Sequence, residues 1–160
     1  MLTKEQLKEL VDYKDGFLVA KVKWANKIRV GFPLGSKNKD GYLQFSFQRK
    51  KYYVHRLVFL YHYGFFPESV DHIDGDKNNN RIENLRAASL HQNNYNVKTR
   101  KASKSGFKNV NWNKKNNNWN VTLAANNKSM YFGSFDDLEL AALVAEEARN
   151  LYHKEFACHA

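Results

Sequence analysis

Apolar and polar positions along the chain fall into two patterned regions on either side of a strongly polar stretch. Residues 3–11 read as a short, charged helix. Segments 17–24, 27–32, 41–48 and 52–60 are rich in Val, Ile, Phe and Tyr. They show the alternation expected of half-buried strands, in which successive side chains point to opposite faces. Asp40-Gly41 marks the turn before the third of these. The end of the last, HRLVFLYHYGF, also fits a helix packed on the sheet. After Pro67 comes VDHIDGDKNNNRIENLR, residues 70–86, where neither period holds. Ser89-Leu-His-Gln92 then has the form of a capping box, in which hydroxyl and amide each satisfy a backbone N–H of the other residue. It predicts a helix from about Leu90 that carries Asn93, Asn94 and Asn96.

Residues 98–106, KTRKASKSG, read as a basic linker. Beyond it the pattern changes. FKNVNW, NNWNVTLAA and KSMYFGSF predict three short strands separated by Asn-rich turns. DDLELAALVAEEARNLYH has a helical period, with Leu140, Val144, Ala148 and Leu151 or Tyr152 on one face, expected to be core. The acidic first turn suits the positive end of the helix dipole. The expected fold class is α+β. A β-rich N-terminal region leads into a small β/α core over residues 1–97, a linker spans 98–105, and a three-stranded antiparallel sheet on one helix spans 106–160.

Charge sharpens this picture. The chain has 160 residues, a formal net charge of +10 and a sequence pI of about 9.6. Basicity of this degree points to a polyanionic partner, most often nucleic acid. From Gly16 to Pro67 the only acid is Asp40, and from Asn84 to Phe135 there is none. The acids gather at residues 68–83 and in the terminal helical segments. An acidic island between basic stretches suits a metal site working on a phosphate backbone. Cys158 is the only cysteine, which excludes an internal disulfide and any zinc site needing two thiolates. No run approaches the roughly 18 apolar residues of a membrane span. The N-terminus does not read as a signal peptide, so an intracellular, cytoplasmic setting is expected.

The stretch 70–86 holds four acids, a histidine and four asparagines. A calcium loop starting at Asp74 fails twice: its sixth position is Asn79 rather than Gly, and its twelfth is Leu85 rather than Glu. A plain Asp-Gly turn explains Asp74, Gly75 and Asp76 but not Asp71-His72 or the asparagines at 93–96. Phosphodiester hydrolysis needs an activated water and stabilisation of developing charge. A histidine can take the water's proton, and a hard divalent cation on a carboxylate and an amide oxygen supplies the rest. Asp71 and His72 fall where a strand ends, Asn93 falls one turn into the following helix, and Asn84 is placed to hold the loop between.

VHRLVF, VDHIDGDKNNNRIENLRAAS and HQNNYN together resemble the HNH endonucleases, in particular those that include phage homing endonucleases. GYLQFSF followed by YYVHRLV is usual there too. The resemblance spans about residues 10–97 and implies a ββα-metal core cutting double-stranded DNA with Mg²⁺ or Mn²⁺. It implies Asp71 and Asn93 as metal ligands, His72 as general base and Asn84 as the residue fixing the loop. If the chain is phage-encoded, its setting is the host cytoplasm. The tail, SGFKNVNW through YFGSF and the Ala-rich helix, resembles the plant APETALA-type (ethylene-response-factor) DNA-binding domain, which reads DNA with its sheet. Candidate DNA contacts are Arg56, Arg86, Lys98, Arg100, Lys101, Asn111, Asn113, Lys114, Lys115, Thr122, Lys128 and Tyr131. Asn111, Asn113, Thr122 and Ala124 stand where that family places arginines, so adenine-edge contacts by asparagine replace guanine readout as the expectation. The other readings of the chain are a non-catalytic DNA-binding protein with a decayed nuclease core, and a calcium-binding interaction module. Monomer and homodimer are both open.

Overall fold

The computed structural model describes residues 2–96, 104–125 and 128–158. They form two compact units, Met1–Ser89 and Leu90–Ala160, each mixed α and β.

In the first unit α1 (Lys4–Leu10) starts at Thr3, whose hydroxyl accepts from the Gln6 amide while Gln6 reciprocates at the Thr3 N–H. A hairpin follows, β1 (Val11–Lys14) with β2 (Phe17–Ala20). The expected strand at 17–24 therefore stops at Ala20, and 27–32 is not a strand. The chain there runs irregularly along β2, tied by Gly31 N–H to Ala20 O, Ala20 N–H to Phe32 O and Leu34 N–H to Leu18 O. Val22 and Val30 are exposed while only Trp24 and Ile28 reach the core, so the stretch lacks the alternating buried face that holds a ladder in register. A three-stranded antiparallel sheet comes next: β3 (Ser36–Lys37), β4 (Leu43–Phe47) and β5 (Lys50–Tyr53).

Segment 52–60 becomes helix after two residues: α2 is Val54–Tyr63. Val54, His55, Leu57, Val58, Phe59 and Leu60 are all buried, and a short run that is apolar on every side fits either period. Its end decides for helix. Gly64 adopts a left-handed conformation (φ 83°) and its N–H caps Leu60 O, a stop that strands do not use. α2 packs in a core with Leu7, Val11, Leu18, Val70 and Leu85. The last two belong to β6 (Ser69–His72) and β7 (Leu85–Ala88), an antiparallel pair.

The second unit begins with α3 (Leu90–Tyr95), where the capping-box pattern places it. β8 (Val110–Asn113), β9 (Asn118–Ala125) and β10 (Lys128–Phe135) form the expected antiparallel sheet in the order β10-β9-β8. α4 (Leu138–His153) lies on it, with the Asp137 carboxylate capping the Leu140 N–H at 2.7 Å. The expected core face of α4 is corrected. Ala141, Ala145 and Ala148 are buried, Val144 is partly so, while Leu140 and Leu151 are 49% and 66% exposed. Alanines at this spacing let the helix axis lie close to Val110 and Val121 of the sheet, which turns the larger leucines outward. α3 joins this unit through Tyr95, stacked on His153 with ring centroids 3.8 Å apart and its carbonyl accepting from Lys108 Nζ.

No helix among the described residues is long and apolar enough to cross a membrane.

Candidate functional site

All four residues of β6 are buried, including Asp71 at 4% and His72 at 5% exposure. An ionised carboxylate cannot sit there without a partner. The register supplies one, because Asp71 lies opposite Arg86 of β7. The Arg86 guanidinium donates twice to Oδ2, from Nε at 2.7 Å and Nη2 at 2.6 Å. Arg86, expected to meet DNA, is thus turned onto Asp71.

His72 is held differently. Its Nε2 lies 2.9 Å from Oδ1 of Asn80, itself 2% exposed. His55, from the first turn of α2, meets the His72 ring edge-on at 5.0 Å between centroids, and Tyr42 stands 6.1 Å away. Burial, then the charge of His72, then that of Arg56, push the His55 pKa down to about 3, so this imidazole is neutral near pH 7. Burial, with Asp71 nearby, raises Tyr42 above the ordinary phenol value. Lys77 covers this side, its ammonium 4.6 Å from the Tyr42 ring centre and bonded to Asp40 O.

The acids and asparagines of the loop between β6 and β7 are largely engaged with the loop itself. Asp74 Oδ1 accepts from the Asp76 N–H and from Asn84 Nδ2, and its Oδ2 accepts from Asn79 Nδ2. Asp76 Oδ1 accepts from the Asn78 N–H and side chain. Asn84 donates to Asn79 O at 2.8 Å and accepts from the Asp74 N–H at 3.0 Å, so one side chain ties both ends of the loop together. Burial raises the Asp74 carboxyl, but these hydrogen bonds outweigh it and hold the pKa below the usual carboxylate value. Tyr13 anchors the loop from outside by accepting the Ile82 N–H.

Among the described residues no group of three or more His, Cys, Asp and Glu side chains forms a metal cage. One donor of the expected set, the Asp71 carboxylate, is of the type a hard cation takes. A small hard cation that keeps most of its waters needs only one or two protein oxygens plus substrate phosphate, and Asp71 supplies a buried, oriented carboxylate. Asn93 is in α3, half-buried, in the second unit.

The other expected contacts divide. Arg56 donates to Pro67 O and Glu68 O, fastening α2 to the entry of β6. In the second unit Asn111, Asn120, Thr122, Tyr131 and Ser134 share the sheet face that alternates with Val110, Val121 and Trp119. Asn111 donates to Thr122 Oγ1, and Tyr131, 61% exposed, bonds Ser134, which donates to Asn120. Asn113 accepts from the Lys115 and Asn116 N–H groups and so shapes the turn that displays Lys114 and Lys115. Lys128 is exposed at the start of β10. Lys98, Arg100 and Lys101 lie outside the described residues. Sequence reasoning missed Asn80. It is one of three consecutive asparagines, and only its burial separates it from Asn78 and Asn79.

The family described as HNH endonuclease matches residues 52–95, from β5 through α3. Protein 3.8 of Escherichia phage T7 is 40% identical over 88 residues, 55% of this chain and 72% of that protein. No solved structure matches. The family match does not extend to the sheet and helix of the second unit, and comparison with known proteins does not support an APETALA-type domain there. HNH domains are nuclease and DNA-binding modules that generally work with a divalent metal. Residues 52–95 are an HNH endonuclease domain, and the chain belongs to the family of the phage T7 Protein 3.8.

Proposed function

We propose that this protein is a metal-dependent endonuclease of the phage homing type, hydrolysing phosphodiester bonds in double-stranded DNA in the host cytoplasm. The observation that carries this reading is the pair Asp71 and His72, adjacent, buried, and each held by its own side-chain partner at the end of β6. Motif resemblance adds Asn93 as second metal ligand and Asn84 as the residue that fixes the loop. Mg²⁺ or Mn²⁺, when bound, neutralises the scissile phosphate and the departing 3′ oxygen. Asp71 presents its carboxylate in one orientation because Arg86 grips Oδ2. His72 takes a proton from water. The resulting hydroxide forms the new bond to phosphorus as the bond to the 3′ oxygen breaks, and that oxygen is protonated from solvent. The sheet of the second unit, read as an APETALA-type domain, adds duplex contacts through Lys114, Lys115, Lys128 and the Asn111–Thr122–Tyr131 face. The basic residues 98–101 add phosphate contacts.

The test is nicking and linearisation of supercoiled plasmid with Mg²⁺, Mn²⁺ or EDTA. Wild type should cut only with metal. His72→Ala should lose about 10²–10⁴-fold in rate, as general-base removal does, with DNA affinity retained. Asp71→Ala should lose metal stimulation. DNA binding without metal-dependent cutting would overturn the enzymatic reading in favour of a decayed nuclease core.

A further inference from the structure

We infer that Asn80 is the positioning residue of His72, fixing the orientation and tautomer of its ring. The inference rests on the reading of His72 as general base, but its geometry does not. An amide oxygen only accepts hydrogen bonds. At 2.9 Å from Asn80 Oδ1, His72 Nε2 must therefore carry the proton. In a neutral imidazole the lone pair then belongs to Nδ1. With Nε2 tied to Asn80, the ring is held in one orientation beside Asp71.

Asn80 is built to stay in place. It is 2% exposed, and a buried amide that lost its partner would carry the desolvation cost alone. Its N–H donates to Asn78 O at 3.0 Å and its Nδ2 reaches the same carbonyl at 3.4 Å, which turns Oδ1 toward the histidine. The β1–β2 turn runs close beside its backbone, with only a glycine there. A Cβ on Gly16 would lie 2.9 Å from Arg81 N and 3.0 Å from Asn80 C, and Gly16 has φ +88°. His55 and Tyr42 stand beside the ring at 5.0 and 6.1 Å, limiting its rotation. The arrangement differs from that of Asp71, which is gripped by a charge. A neutral amide sets the tautomer of His72 without placing a second carboxylate beside it.

The experiment uses full-length protein with ¹⁵N-labelled histidine. Two-bond ¹H–¹⁵N spectra at pH 8 read the tautomer of each ring, and His72 is assigned by its absence in His72→Gln. Wild type should show His72 as the Nε2–H form. Asn80→Asp, which keeps an acceptor, should preserve that form, and Asn80→Ala should shift it toward Nδ1–H. In plasmid cleavage Asn80→Ala should lose on the order of 10²-fold in kcat with unchanged DNA affinity, and Asn80→Asp should recover most of it, as expected when a base is held in the wrong tautomer. A wild-type His72 in the Nδ1–H form overturns the inference even if Asn80→Ala does not fold. So do tautomer populations that Asn80→Ala leaves unchanged. If wild type does not cut DNA, the nuclease reading fails while the spectra still decide whether Asn80 sets the ring.

Discussion

Arg86 closes two nitrogens on one oxygen of Asp71, with Nε at 2.7 Å and Nη2 at 2.6 Å from Oδ2. Both side chains are mostly out of water, at 16% and 5% exposure. Breaking a buried pair by removing one partner leaves an uncompensated charge, which costs roughly 3–5 kcal/mol. Arg86→Ala should therefore act first on stability, and only secondarily on DNA affinity. Urea denaturation should show Arg86→Ala strongly destabilised and Arg86→Lys less so. The double variant Asp71→Ala/Arg86→Ala should lie well short of the sum of the singles. Additive losses would mean that the pair contributes no coupling.

Asn84 gives a different signature, because it joins backbone to backbone across the loop. It accepts from the Asp74 N–H and donates to Asp74 Oδ1 and Asn79 O. Asn84→Ala should cost about 1–3 kcal/mol through these unmade bonds. The amides of Asp74 and Asp76 should exchange faster. Asn84 is also one of the donors that hold the Asp74 carboxyl low, so the Asp74 pKa should rise in the variant. Carbon-detected titration of the side chain reads this directly. Unchanged exchange at residues 74–84 would remove Asn84 from the loop's support.

His55 makes the first unit sensitive to acid. Its folded pKa, about 3, lies below the ordinary histidine value of 6.5, chiefly through burial. Between these values the unfolded chain binds a proton that the folded chain does not. Stability contributed by the neutral ring is thus fully present above about pH 6.5 and falls by up to about 1.4 kcal/mol per pH unit below it, until about pH 3. Replacing it with the uncharged His55→Gln should flatten this slope between pH 6.5 and 4. Thermal melts across that range measure it, and parallel curves for wild type and variant would show that His55 is not the group responsible.

How far the chain was legible follows from range. Short-range signals read well. The end of a strand at His72, a helix near Leu90 and three strands in the second unit all follow from period, turns and caps within a few residues. Segment 27–32 misled because Val30 and Phe32 look like strand residues, yet both are more than half exposed. Leu140 and Leu151 misled because helical period locates a stripe without saying whether large or small residues face the sheet; the alanines do. In the site, the partners of Asp71 and His72 needed three dimensions. Arg86 is fifteen residues from Asp71 and meets it only through the β6–β7 register. Asn80 differs from its two asparagine neighbours by burial alone.

The outer face of the second unit's sheet separates two modes of DNA contact. Lys114 and Lys115 sit exposed in a turn shaped by Asn113, away from the amide and hydroxyl side chains of Asn111, Thr122 and Tyr131. Lysines on phosphates release counterions, so Lys114→Ala/Lys115→Ala in the full chain should weaken binding about equally on every sequence. It should also reduce the magnitude of the slope of log affinity against log salt by roughly two. Asn111 is 3.4 Å from Thr122 Oγ1, a long bond that a base edge can replace. Asn111→Ala should leave the salt slope alone and blur discrimination between sequences by about 1–3 kcal/mol. Salt titrations on two duplexes, with cleavage mapping on a mixed-sequence substrate, distinguish the two effects. If both variants kept wild-type affinity, slope and cut sites, this face would not touch DNA. The exposed Leu143 and Leu151 on the opposite side of the unit would then be the surface to test for a protein contact.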